Sequence, residues 1–179
     1  NVKATRLSHC CETNRDRLKG LDRVELIEVL DTFTPPELGP DDLVIDGLFG
    51  SGLSNPLKGG YASTVQYINE SHAFVVSLDI PSGLFGEWNT GVDRRNIVRA
   101  NLTLAYQFKR LSFFFSENAE FLGEVVVLDL EMDQDAIAST PADFYLIERE
   151  DVKRELRPHG NFINKYDNGT VFLVAGSYG

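Results

Sequence analysis

Cysteine is almost absent from these 179 residues: Cys10 and Cys11 are the only two, and they are adjacent. Neighbouring cysteines rarely converge with the geometry a disulfide needs, so no framework of bridges is expected. A reducing, cytoplasmic setting is the corresponding expectation. His9 and Glu12 beside them suggest a metal site, yet no second ligand pair follows at a zinc spacing, and the two thiols read as incidental to a helix entry. Long apolar runs are missing as well. None approaches the ~20 residues of a membrane helix and no signal-peptide pattern is seen, so no membrane partner is expected. Positive charge is in short supply: 17 Lys and Arg against 27 Asp and Glu leave a net charge of −10. That balance removes a broad phosphate-binding face and argues against nucleic acid as a partner. Arg94-Arg95 with Arg99, or Lys109-Arg110, could still meet a phosphorylated small ligand. The three histidines, His9, His72 and His159, join no nucleophile pattern, and without a Gly-x-Ser-x-Gly elbow a hydrolase triad is not supported. The dinucleotide fingerprint is also incomplete, because Gly50-Ser51-Gly52 is followed by Asn55 where a third glycine belongs.

What the chain does have is one arrangement, twice. Leu43-Val44-Ile45 leads into Asp46-Gly47-Leu48-Phe49-Gly50-Ser51-Gly52-Leu53, and Phe74-Val75-Val76-Ser77-Leu78 leads into Asp79-Ile80-Pro81-Ser82-Gly83. Each places a carboxylate at the end of a buried strand, with glycines after it. Ligands bind at the carboxyl ends of parallel strands, and a spacing of about one βαβ repeat points to a single shared site. Glycines after Asp46 leave amides free to line an anion. Pro81 fixes the exit from the second strand and so the geometry of Asp79 and Ser82. Oxygen-only ligands such as Asp46 and Ser82 suit a hard cation, while a carboxylate in a partly dry cleft serves as a general acid or base. The bland alternatives are a local cap for Asp46 and a buried hydrogen-bond hub for Asp79.

The remaining pattern is α/β. Charge over residues 12–20 predicts a short surface helix stopped by Gly20, and alternation over 24–29 predicts a strand near a sheet edge. Tyr61, Val65 and Ile68 mark one face of a helix over 60–69. Strands are expected over 73–79, 100–108, 124–130 and 170–175, and a charged helix over 150–156. The aromatic run Phe113-Phe114-Phe115 reads as core. Together these describe a Rossmann-like, doubly wound, mostly parallel sheet with helices on both faces, a three-layer αβα domain over residues 1–147. Residues 148–179 read as a linker and the first strand of another domain. Asn1 in place of Met, and Gly179 directly after an apolar strand, lead us to expect that both ends are cut.

At these residues the chain resembles the NAD(P)H-hydrate epimerase family, the YjeF N-terminal domain. The likeness runs through Asp46 to Leu53, Pro56-Leu-x-Gly, Ile68-Asn69 and Asp79 to Gly83. It continues through Val98-x-Ala-Asn-Leu-Thr103, Lys109 and Gly123-x-Val-Val-Val-Leu-Asp129. The tail from Asn164 to Ser177 resembles the opening strand of the ribokinase-like, ADP- or ATP-dependent NAD(P)H-hydrate dehydratase. The resemblance implies interconversion of the R and S forms of hydrated NADH or NADPH (NADHX and NADPHX), coupled in a parent chain to dehydration of the S form. It further implies that Asp46 and Ser82 help hold one potassium ion, K+. Gly50, Ser51, Gly52, Leu53, Ser54, Asn55 and Pro56 would line the substrate, and Asp79 would contact the damaged nicotinamide ring as the acid/base group. Lys109 would assist electrostatically. The family's Asn-Asn-Gly-Gly-Asp-Gly loop has no counterpart before Cys10, so one wall of the cleft and one potassium ligand are expected to be missing here. This stretch alone is then expected to have little activity. Family members tend to form homo-oligomers. Two other classes stay open: a non-catalytic dimerisation module like those of messenger-RNA decapping scaffolds, and a generic nucleotide-binding module.

Overall fold

The computed structural model describes residues 7–29, 34–156, 162 and 169–176. The chain divides into two compact units, Asn1–Leu130 and Glu131–Gly179.

The first unit is built on four strands, β1 (Leu43–Asp46), β2 (Phe74–Leu78), β3 (Leu102–Tyr106) and β4 (Glu124–Leu128), in the order β1-β2-β3-β4. Every pairing is parallel, with Asp46 opposite Ser77 and Val76 opposite Leu102. Alternation along the strands sends Val44 and Asp46, Val75 and Ser77, Thr103 and Ala105, and Val125 to one face. Helix α2 (Gly60–Glu70) covers that face beside β1 and β2, burying Ala62, Val65 and Ile68 with Leu57, Val75 and Val98. Phe121 and Leu122 of the short α3 (Ala119–Leu122) join Ile80, Leu84 and Ile97 in a second cluster, with Val125 packed against it. Each fully enclosed aliphatic side chain there contributes ~1.5–3 kcal/mol from burial.

Four of the five strands expected in this unit form, but the sheet is not doubly wound among the described residues. Strands are added in one direction without reversal, and the crossovers that pack, α2 and α3, lie on one face, as right-handed connections require. The other face leaves Leu43 62 % and Ile45 63 % exposed, with Phe74 also exposed. Two layers are therefore observed rather than three. In α2 the buried stripe is Ala62-Val65-Ile68; Tyr61 lies at its edge, in edge-to-face contact with Phe49 at 4.9 Å.

Helix α1 (His9–Leu18) starts three residues earlier than expected, because the Ser8 hydroxyl caps it by accepting from the Cys11 amide. It ends at Leu18, with Lys19 and not Gly20 as its cap, and Cys10 and Cys11 lie exposed on its first turn. The strand expected over 24–29 does not form. Val24, Leu26, Ile27 and Val29 are all exposed, so alternation there has no core to read it out. Phe113 packs on the second cluster as expected, whereas Phe114 is exposed and Phe115 stacks on Trp88 at 5.1 Å.

The second unit holds two short helices, α4 (Gln134–Ser139), capped by Asp133, and α5 (Arg149–Glu155), which carries a Glu148–Asp151 capping box. The strand expected over 170–175 is absent. Val171, Phe172, Leu173 and Val174 are exposed, and among the described residues no strand pairs with them. Part of the tail likeness, 164–168 and Ser177, lies outside the described residues.

Candidate functional site

Asp46 closes β1 on the covered face of the sheet and is 1 % exposed. A carboxylate that deep needs donors, and it has four. One oxygen accepts from the Ser77 hydroxyl (2.8 Å) and the Ser82 amide (2.9 Å). The other accepts from the Ser82 hydroxyl (2.6 Å) and the Leu48 amide (3.3 Å). The Phe49 amide donates in turn to the Ser82 hydroxyl at 2.9 Å. The first motif is thus bound to the second through a single serine.

Asp79 leaves β2 by an uncommon route. Its amide still donates to Leu104 of β3 at 2.8 Å, and then φ turns to +67° while the Ile80 amide donates back to Leu78 at 2.9 Å. That three-residue loop is the positive-φ γ-turn, a strained form. It carries the carboxylate over the loop that follows β1. There the Ser51 amide donates to one oxygen at 2.8 Å, and Arg110 Nη2 donates to the other at 2.9 Å. The side chain keeps 13 % of its exposure. Burial alone would push the carboxyl group up, but the Arg110 and Ser51 hydrogen bonds and the Arg110 charge outweigh it and hold Asp79 below the ordinary carboxylate value. A Cβ at residue 50 would stand 2.8 Å from an Asp79 oxygen, so this approach needs glycine. Gly83 is needed for a different approach: at φ +98° it lies against the backbone of Asn96, whose O is only 2.1 Å from where a Cβ would lie.

Asp46 and Asp79 therefore flank one loop at the carboxyl end of adjacent strands. The family model described as YjeF-related protein N-terminus matches residues 3–112, a span that contains both motifs. The chain belongs to this family. It is 34 % identical over 95 residues to the NAD(P)H-hydrate epimerase of Limosilactobacillus fermentum, covering 53 % of this chain and 45 % of that protein. It is 39 % identical over 89 residues to the enzyme of the same name from Rhodopirellula baltica, covering 50 % and 36 %. With the bifunctional NAD(P)H-hydrate repair enzyme Nnr of Thermofilum pendens it shares 36 % over 141 residues, covering 79 % and 26 %. The chain thus spans less than half the length of each of these curated relatives.

Of the residues the YjeF_N resemblance points to, Gly50 and Ser51 lie against Asp79, and Leu53 packs partly on the core. Gly52, Ser54, Asn55 and Pro56 are open to solvent. Lys109 is exposed, and among the described residues the group that reaches Asp79 is its neighbour Arg110. Sequence reasoning placed Arg110 in a basic patch for phosphate and missed this pairing. The available signal was position: a basic residue just past the end of β3, beside the end of β2.

The donor set at Asp46 fits a hard cation. Asp46, Ser82 and the Phe49 carbonyl, 3.2 Å from the Ser82 hydroxyl, are all oxygen donors. Among the described residues no basic side chain pairs with the buried Asp46 charge, and no cluster of three or more His, Cys, Asp or Glu forms. The same donors also satisfy Asp46 without an ion. No described helix is long and apolar enough to cross a membrane.

Proposed function

We propose that this chain supplies the epimerising site of nicotinamide-coenzyme repair, interconverting the R and S forms of NADHX or NADPHX. One observation supports the reading above the others: the Asp79 carboxylate is fixed on both oxygens, by Ser51 and Arg110, at the mouth of a glycine loop. A group held that way starts as the base. It accepts a proton from the hydrate and returns it, leaving the enzyme unchanged over the cycle. Residues 50–56 line the phosphates and sugar of the substrate, with Gly50 keeping the backbone close to Asp79. Lys109, exposed beside the pair, offsets negative charge on the dinucleotide. Asp46 and Ser82 would hold the potassium ion, whose contribution when bound is a fixed positive charge at that corner.

In a parent chain the S form would pass to an ADP- or ATP-dependent dehydratase, the arrangement suggested by relatives named as bifunctional repair enzymes. Incubating the full chain with R-NADPHX and following the R/S ratio by chromatography tests the reading. Wild type should move the two forms toward equilibrium faster than buffer does, at the low rate expected of a cleft with one wall missing, and Asp79→Asn should lower that rate by at least a hundredfold. Equal rates in the two proteins would remove Asp79 from the chemistry. No acceleration by wild type over buffer would count against an epimerising site complete within this stretch.

A further inference from the structure

We infer that Arg110 is a positioning residue for Asp79: by gripping the carboxylate against the Ser51 amide it holds the strained strand end in its working orientation and in its ionised form. The inference rests on the proposed role of Asp79 but stands on geometry that role did not use. Arg110 Nη2 lies 2.9 Å from Asp79 Oδ1, while the opposite oxygen is fixed at 2.8 Å by a backbone amide. Two donors from two different loops therefore set both the position and the rotation of one carboxylate. The arginine is itself held. Its Cβ, Cγ and Cδ each lie 4.0 Å from where a Cβ on Gly86 would stand, so the aliphatic stem runs closely past that glycine. The Ser112 amide donates to the Gly86 carbonyl at 3.0 Å, which ties the arginine's segment to the loop after β2.

The surroundings of Asp79 leave Arg110 as the charge that matters. From the loop after β1 comes the uncharged Ser51 amide. The acid of β1, Asp46, is turned to Ser77 and Ser82. Among the described residues, β3 brings the Leu104 carbonyl, which accepts from the Asp79 amide. Arg110 Nε is buried and has no hydrogen-bond partner among the described residues. A buried donor without a partner is costly, and an arginine kept at that cost beside an acid points to a task at the acid.

Two readouts on the full chain test this in wild type, Arg110→Gln and Arg110→Lys. The first is a carbon-13 NMR titration of the Asp79 carboxyl carbon, assigned by its loss in Asp79→Asn. The midpoint should rise by about one pH unit or more in Arg110→Gln, and by less in Arg110→Lys, which keeps the charge and most of the stem. The second is the pH profile of kcat/KM for epimerisation, whose acid limb should move up with the titration while the lysine variant recovers part of the loss. An unmoved midpoint in folded Arg110→Gln overturns the inference, as does an equal loss of activity at every pH. Should Arg110→Gln fail to fold, the lysine variant alone decides, an unmoved midpoint again counting against the inference. If wild type shows no epimerisation, the proposed function fails while the titration still decides whether Arg110 governs Asp79.

Discussion

Replacing Asp46 by asparagine changes no shape and removes one charge, which makes it the sharpest probe of this site. The carboxylate accepts four hydrogen bonds, two on each oxygen. An amide nitrogen must stand where one oxygen was. Turned toward the Ser82 amide it would set two N–H groups against each other at 2.9 Å, and a backbone amide cannot rotate away. The lesser conflict places it on the side of Leu48, whose bond is the longest at 3.3 Å. The Ser82 hydroxyl must then reverse and donate to the Phe49 carbonyl, 3.2 Å away. One hydrogen bond is lost and three fall from charge-assisted to neutral strength, each worth ~1 kcal/mol less. Relief from burying a charge returns part of that. We expect a net destabilisation of about 2 kcal/mol, read by urea unfolding with circular dichroism at unchanged m-value. A variant as stable as wild type, or more so, would refute the claim that these four donors outweigh the cost of the buried charge.

The same site makes three further predictions. Gly50→Ala forces a Cβ to 2.8 Å from the Asp79 carboxylate, so it should cost ~1–3 kcal/mol and cut epimerisation more than tenfold, measured on one protein sample by unfolding and by R/S ratio. Because the folded carboxyl group of Asp79 lies below its ordinary value, its stabilisation is complete above about pH 4 and is lost as pH falls through the folded value. An acid titration of stability should therefore be steeper for wild type than for Asp79→Asn, and parallel curves would contradict the shift. Finally, potassium chloride should raise the melting temperature of wild type above that in sodium chloride at equal ionic strength, and Asp46→Asn should abolish the difference; identical melting in both salts would count against the cation.

Much of this was legible, for a physical reason. A buried parallel strand has to be apolar along its length, so residues 43–45, 74–78 and 102–106 announce themselves, and an acid at the end of such a strand is hard to explain by packing. Asp46 and Asp79 stand out that way, and Ser82 through the proline that follows Asp79. What was hidden depends on tertiary context. Residues 24–29 alternate as well as many edge strands, yet among the described residues no strand pairs with them, and the same holds for the apolar run 171–174. Lys109 and Arg110 are adjacent and equally basic, and only the turn of the segment after β3 decides which one faces Asp79. The direction in which strands are added also leaves no trace in apolar runs, so a doubly wound sheet and the one-way order observed read alike.

The backbone at Asp79 joins these threads. A non-glycine residue at positive φ costs on the order of 1–3 kcal/mol, and Gln107, at the end of β3, bears the same turn at φ +60° with the Phe108 amide donating to Tyr106 at 2.7 Å. Two neighbouring strands thus end in the same strained form, and in each the side chain of the strained residue is what the surroundings hold. Gln107 accepts from the Leu130 amide at 2.8 Å and closes the end of the sheet. Asp79 is held by Ser51 and Arg110 and faces the loop. A strand that simply continued would alternate its side chains between the two faces, into the core or out the far side. The turn at each end breaks that alternation, and at β2 it delivers a charge to the loop of the neighbouring strand, where a packing role alone would not require one.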